Sequence, residues 1–183
     1  MNSEFESRWS EVSATLPDWS REHGTRFTWD PSRALLASMR SYQRHAGSRY
    51  PWRVVLRKWA VLRYRFWSVV TGTAIPINVN IGGGLRLPHP NGVVIHQDAS
   101  IGPNCLILQQ VTIGDRGRQG VPRIGGHVDI GAGAKILGPV TIGDHVLIGA
   151  NAVVLTDVPD HCMAVGVPAV VKPIAREHRR DPI

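Results

Sequence analysis

The chain has 183 residues, 43% hydrophobic and 19% charged, enough for one compact domain with an accessory segment and too few for a large multidomain enzyme. No apolar run approaches the ~20 residues that cross a bilayer, and acids within residues 1–10 stand where a secretory signal needs basic and then apolar residues, so a cytoplasmic protein is expected. Two cysteines, Cys105 and Cys162, cannot by themselves make a disulfide framework or a four-ligand zinc site, and both are expected as buried small residues.

The formal charge of +7 sits at one end. Residues 1–72 hold twelve Lys/Arg against six Asp/Glu, and residues 73–183 hold nine against eight. Within 51–70, Arg53, Arg57, Lys58, Arg63 and Arg65 alternate with Trp52, Trp59, Phe66 and Trp67, with no acid among them. Such a stripe could meet phosphate, an anionic membrane or an acidic glycan. The expectation is a solvated helix face with its aromatics packed inward, with peripheral membrane association left open and no nucleic-acid partner.

In chain order, a short helix is expected around 5–14. Asp30 followed by Pro31 reads as an N-cap and first helical position, and few helix breakers precede Gly47, which predicts a helix over 31–45. Ser48 to Pro51 repeats the start signal. Trp52, Leu56, Trp59, Leu62 and Phe66 then follow a 3.6-residue period, predicting a second helix that ends near Gly72. These elements make up a helical region over 1–72.

From Ile75 onward the apolar residues recur every six positions. Ile75, Ile81, Leu87 and Val93 form one series, Ile95, Ile101, Ile107 and Ile113 a second, and Ile124, Ile130, Ile136, Ile142, Ile148 and Val154 a third. One strand and one turn per hexad, three hexads per coil, describe a triangular parallel β-helix over 73–171, followed by a tail over 172–183. Each hexad leader points into a narrow prism and stacks on its equivalent eighteen residues later. The period breaks twice. Leu87 and Ile95 are eight apart, the extra residues falling in Pro88-His89-Pro90-Asn91-Gly92, and Ile113 and Ile124 are eleven apart, so that 115–122 protrudes as a polar, basic loop. Irregular loops on a regular scaffold often carry function.

The blocks Ile81-Gly-Gly-Gly-Leu-Arg-Leu-Pro-His-Pro-Asn-Gly-Val-Val-Ile95, Leu108-Gln-Gln-Val-Thr-Ile-Gly114, Ile130-Gly-Ala-Gly-Ala-Lys-Ile-Leu-Gly138, Ile148-Gly-Ala-Asn-Ala-Val-Val154 and Val165-Gly-Val-Pro-Ala169 resemble the left-handed β-helix acyltransferases, and among them the serine O-acetyltransferase-like group. The resemblance implies a mainly β fold, a left-handed parallel β-helix preceded by an α-helical segment. It also implies acetyl-CoA as cosubstrate, a homotrimer with sites between neighbouring coils, pairing of trimers as a further option, and His89 as catalytic base. Three positions depart from the serine enzymes. Pro88 replaces the aspartate before the histidine, Ala74 replaces a second aspartate fifteen residues upstream, and Gly120-Val121 replaces the Arg-His pair that recognises serine. The acceptor expected from these departures is a sugar hydroxyl of a polysaccharide precursor. A serine acetyltransferase of cysteine synthesis is the alternative, and a non-catalytic trimeric scaffold using the basic helix a third reading.

Moving acetyl from a thioester to an alcohol calls for a base that titrates near neutrality, which suits His89. Its second ring nitrogen needs an acceptor, either a backbone carbonyl or Asp98. For the donor, the small residues Gly114, Ala132 and Ala150 would let a pantetheine arm lie along the prism, and Arg116, Arg118 and Lys172 are candidates for the CoA phosphates. Arg86 and Gln109 are candidates for the acceptor. His127 and His145, eighteen apart, should share one corner in successive coils, as exposed residues and not as a metal pair. No metal is expected, because the His-x₄-His spacing of β-helix carbonic anhydrases is absent.

Overall fold

The computed structural model of the chain describes residues 12–22, 29–117 and 120–174. Most of the helix expected at 5–14 lies outside them. The first regular element is a 3₁₀ turn, Trp19–Glu22. Helix α1 spans Pro31–His45, and the Asp30 side chain accepts from the Arg33 amide as a cap. Helix α2 spans Pro51–Thr71 with Pro51 in its first turn; Tyr50 occupies the cap position without a side-chain hydrogen bond, so the start rests on proline's fixed φ and not on Ser48. Gly72 ends α2 in the left-handed region, φ 63°.

The remainder coils into three faces of short parallel strands. One face stacks Asn80–Ile81, Ser100–Ile101, Arg123–Ile124 and Thr141–Ile142. The next stacks Leu106–Ile107, Asp129–Ile130, Leu147–Ile148 and Cys162–Val165, and a last strand, Val170–Pro173, folds back antiparallel on the fourth. The third stacks Val94–Ile95, Thr112–Gly114, Lys135–Leu137 and Val153–Val154. The register places leader on leader: Ile95 on Ile113, Ile113 on Ile136, Ile136 on Val154.

Every hexad leader named above is buried. A second inward position, two residues before most leaders, holds Val79, Leu85, Ala99, Cys105, Val111, Val128, Ala134, Val140, Val146 and Ala152. These side chains fill the prism's vertices, a layer the six-residue count alone does not reveal. Cys105 is among them, its thiol pushed up to about 12 by burial, which makes it packing material and not a nucleophile. Cys162 is half-buried against the same core.

Two polar clamps hold the helical region to the coil. Asn104, fully buried, donates from Nδ2 to the Ser13 and Leu16 carbonyls at 2.7 and 2.8 Å and accepts from the Asp18 amide at 2.8 Å. This draws the 12–22 segment so close that a Cβ at Gly126 would collide with the Ala14 carbonyl. From α1, Arg40 donates to the Ile81 and Gly82 carbonyls at 2.7 and 2.6 Å and pairs with Glu22 at 2.8 Å. Glu22 in turn accepts from the Gly84 amide at 2.9 Å, and the Arg40 guanidinium lies 5.3 Å from the Trp19 ring centroid.

Replacing Arg40 by alanine leaves the Glu22 carboxylate without its cation and two carbonyls without a donor. The expected cost is ~3 kcal/mol, read as a lower midpoint in urea unfolding, and Arg40→Lys should restore only part of it because one ammonium cannot span the forked contact.

Candidate active site

The first break in the hexad rhythm lies at the corner between the second and third faces. Pro88 and Pro90 flank His89; each ring fixes φ, and Pro90 also confines His89 to extended backbone. The loop is bonded on both sides. The Gly92 amide donates to the Gly72 carbonyl at 2.9 Å, and the Asn91 carbonyl and side-chain oxygen accept from the Gln110 amide and Nε2, each at 2.9 Å. The left-handed end of α2 brings its backbone against this loop: a Cβ on Gly72 would come within 3.0 Å of Asn91 Nδ2. The sequence therefore builds a stiff turn that displays an exposed imidazole.

The ring stands at the lip of an open cleft of about 660 Å³, lined also by Arg21, Trp29, Arg33, Thr71 and Arg86. None of the described residues hydrogen-bonds the His89 ring. Asp98, the carboxylate expected to orient it, instead lies 3.8 Å from His96 Nδ1, and its amide donates to that nitrogen at 3.2 Å.

Three arginines give the cleft its charge, and they are not equivalent. Arg33 pairs with Asp30 at 3.1 Å. Arg21 and Arg86 share the cleft with Asp129 close behind them, yet no ion pair closes among these three. Burial, and then the neighbouring Arg86 charge, lower the Arg21 pKa. Burial also lifts Asp129 to about 6 against the opposing pull of both arginines. Arg21 Nε is buried with no partner among the described residues. Arg86 was legible as a candidate; Arg21, 65 residues earlier in the chain, carried no motif that could have disclosed it.

Of the other expected site residues, Gln109, Ala132 and Ala150 lie along the corner that carries His89. The backbone ladder there runs from Gln110 to Asn91, from Gly133 to Gln109 (2.8 Å) and from Asn151 to Ala132 (2.8 Å). Gln109 Oε1 is buried without a hydrogen bond among the described residues. Gly114 lies at the opposite end of the third face, where that strand turns toward the protruding loop. Arg116 is exposed in that loop, Arg118 lies outside the described residues, and Lys172 is exposed on the final antiparallel strand. One chain therefore does not bring Gly114, Arg116 or Lys172 to His89.

His127, His145 and His161 stack on the corner between the first and second faces. His127 Nδ1 and His145 Nδ1 are 2.8 Å apart, and the His145 and His161 rings lie parallel with centroids 4.9 Å apart. The shared corner matches expectation, but His127 is buried, 3% exposed, instead of lying at the surface. The cause is the 12–22 segment, which Asn104 pins across this corner.

The chain matches the family described as bacterial transferase hexapeptide (six repeats) over residues 122–156. Serine acetyltransferase of Synechococcus elongatus is 44% identical over 106 residues, covering 56% of this chain and 43% of that one. A solved serine acetyltransferase in complex with CoA has a TM-score of 0.64 at 34% identity, covering 79% of this chain and 58% of that one. Soybean serine acetyltransferase complexed with serine has a TM-score of 0.58 at 34% identity, covering 78% of this chain and 70% of that one. Coil, repeat and likeness define the left-handed parallel β-helix fold of the hexapeptide-repeat acyltransferases. Within that class the chain belongs to the serine acetyltransferase-like group of hexapeptide-repeat proteins. It spans about half the length of the curated relatives it matches.

These findings overturn the expectation of a sugar acceptor: the relatives and solved structures matched are serine acetyltransferases, one of them complexed with serine. The departures at 74, 88 and 120–121 therefore do not by themselves mark a sugar acceptor. The cleft carries Arg21, Arg33 and Arg86, none of them at those positions.

The His127 column has a consequence for acid stability. Burial, followed by the His145 charge, lowers His127 to about 4, whereas an unfolded histidine titrates near 6.5. The unfolded chain therefore takes up this proton first as the pH falls. Stability fully present above pH ~6.5 is lost toward pH ~4. His127→Asn, which tolerates the positive φ of 50° at this position, should flatten that loss. Urea midpoints at about pH 7 and about pH 4.5 check this, and an unchanged difference between them would refute it.

Proposed function

We propose that the chain transfers an acetyl group from acetyl-CoA to the side-chain hydroxyl of L-serine, with His89 as general base. The observation that carries this reading is the exposed His89 imidazole, fixed between two prolines at the lip of an arginine-lined cleft. Membership of the serine acetyltransferase-like group supports the same chemistry.

In this reading His89 accepts the seryl proton as the oxygen attacks the thioester carbonyl carbon. Backbone N–H groups hold the oxyanion. The C–S bond then breaks and the sulfur takes the proton back from the imidazolium, leaving O-acetylserine and CoA. Arg86 and Arg21 face the serine carboxylate, whose charge would offset the burial and the Arg86 repulsion that lower Arg21, and Gln109 contacts the acceptor. The pantetheine arm follows Ala132 and Ala150 along the His89 corner, where short side chains leave the backbone accessible.

Gly114, Arg116, Arg118 and Lys172 serve the donor from other corners, the three cations meeting the CoA phosphates. Because the protruding loop and His89 occupy different corners of one prism, the reading includes a homotrimer in which a neighbour's loop meets this chain's corner.

Free-thiol release with L-serine tests the proposal. His89→Ala should lower turnover ~10²–10⁴-fold with the melting curve unchanged; full activity in that variant, or no thiol release with serine in the wild type, overturns it. Arg86→Ala and Arg21→Ala should each raise the KM for serine about tenfold or more, with smaller effects on kcat, as expected when a ground-state carboxylate contact is removed.

A further inference from the structure

Helix α2 is fastened by one edge only. Ala60 and Thr71 are buried, the Tyr64 hydroxyl donates to the Ile75 carbonyl at 2.6 Å, and Trp67 packs against the core. The opposite edge is apolar and exposed among the described residues. Trp52, Val55, Trp59, Leu62, Phe66 and Val69 recur at alternating spacings of three and four, and they are 56, 65, 57, 58, 56 and 83% exposed. The expectation that these aromatics pack inward is thus reversed, except for Trp67.

The charges beside this stripe favour one kind of partner. Lys58 and Arg65 border one side of it and Arg63 the other, by the ~100° advance per residue of an α-helix. Between Asp30 and Asp98 the chain carries ten Lys/Arg and no acid. Pairing with the same helix of a second copy would set Lys58, Arg63 and Arg65 of both chains along one seam without a counter-charge. A continuous band of Trp, Phe, Leu and Val between basic flanks is the pattern of a helix lying in the plane of a membrane interface. Among the described residues no helix is long and apolar enough to cross a bilayer.

We propose that the outer face of α2 docks the protein onto an anionic lipid bilayer, its apolar stripe entering the headgroup boundary and Lys58, Arg63 and Arg65 meeting lipid phosphates. The docking face ends at Val69, and the next two residues, Val70 and Thr71, line the His89 cleft. Attachment would therefore hold that cleft beside the membrane surface. The inference does not depend on the acceptor assigned above.

Co-sedimentation of the full chain with vesicles of phosphatidylcholine alone, and of phosphatidylcholine with phosphatidylglycerol in equal parts, tests this. Binding is expected only to the anionic vesicles, with a blue shift of tryptophan emission and release at about 0.5 M salt. The double variant Leu62→Glu/Phe66→Glu should bind at least tenfold more weakly, with unchanged melting and unchanged mass in solution. Lys58→Glu/Arg65→Glu should also weaken binding. Failure of the wild type to bind anionic vesicles overturns the proposal, as does persistent binding by the Leu62/Phe66 variant. A smaller solution mass in that variant would assign the face to a second copy, and equally tight, stripe-dependent binding to polyglutamate would assign it to an acidic protein; either result also overturns it.

Discussion

The interior of the prism admits one branched aliphatic side chain per hexad and one small or aliphatic side chain toward a vertex, and everything else follows from that restriction. Ile113, Ile136 and Val154 stack without intervening space, so an added residue cannot be absorbed inside the wall. It must leave at a corner. That is why both irregular segments are surface loops, and why a loop bearing a histidine can be changed while the coil beneath it remains intact. The scaffold contributes position, and the breaks in its period contribute the variety at its corners.

Much of this was legible before any coordinates. A six-residue period, two Asx/Pro or Pro helix starts and a glycine stop identify the coil and both helices, because each depends on local geometry. The corner shared by His127 and His145 follows from the same count. The parts that escaped depend on distant contacts. Burial of His127 needs the 12–22 segment laid across its corner, and the charge of the cleft needs Arg21 brought beside Arg86. The outward rotation of Trp52, Trp59 and Phe66 is set by which edge of α2 meets the coil. Periodicity locates an apolar stripe on a helix but does not say that the stripe faces the protein.

The acceptor shows a different limit. Ala74, Pro88 and Gly120-Val121 report only on their own positions and do not describe the charge of the cleft. Arg21 and Arg86 approach the same cleft from a 3₁₀ turn and from the wall of the coil. Electrostatics constrains a site by the sum of its charges, so equivalent fields can be assembled from unrelated parts of a chain. Asp129 and His127 illustrate how closely these charges are coupled to folding: both are driven toward the neutral form by burial, one carboxyl raised and one imidazole lowered. Their contributions to stability therefore run in opposite directions as acidity changes.

The strand Val170–Pro173 lies antiparallel against Cys162–Val165, alongside the final coil. A solenoid of parallel strands otherwise finishes in rows of unmatched amides and carbonyls, the kind of border onto which another molecule can add. Reversing direction on one face breaks the register that a stacked neighbour would have to continue, while α1 and the Arg40 clamp occupy the first coil. On that face a further coil could stack only by displacing the reversed strand.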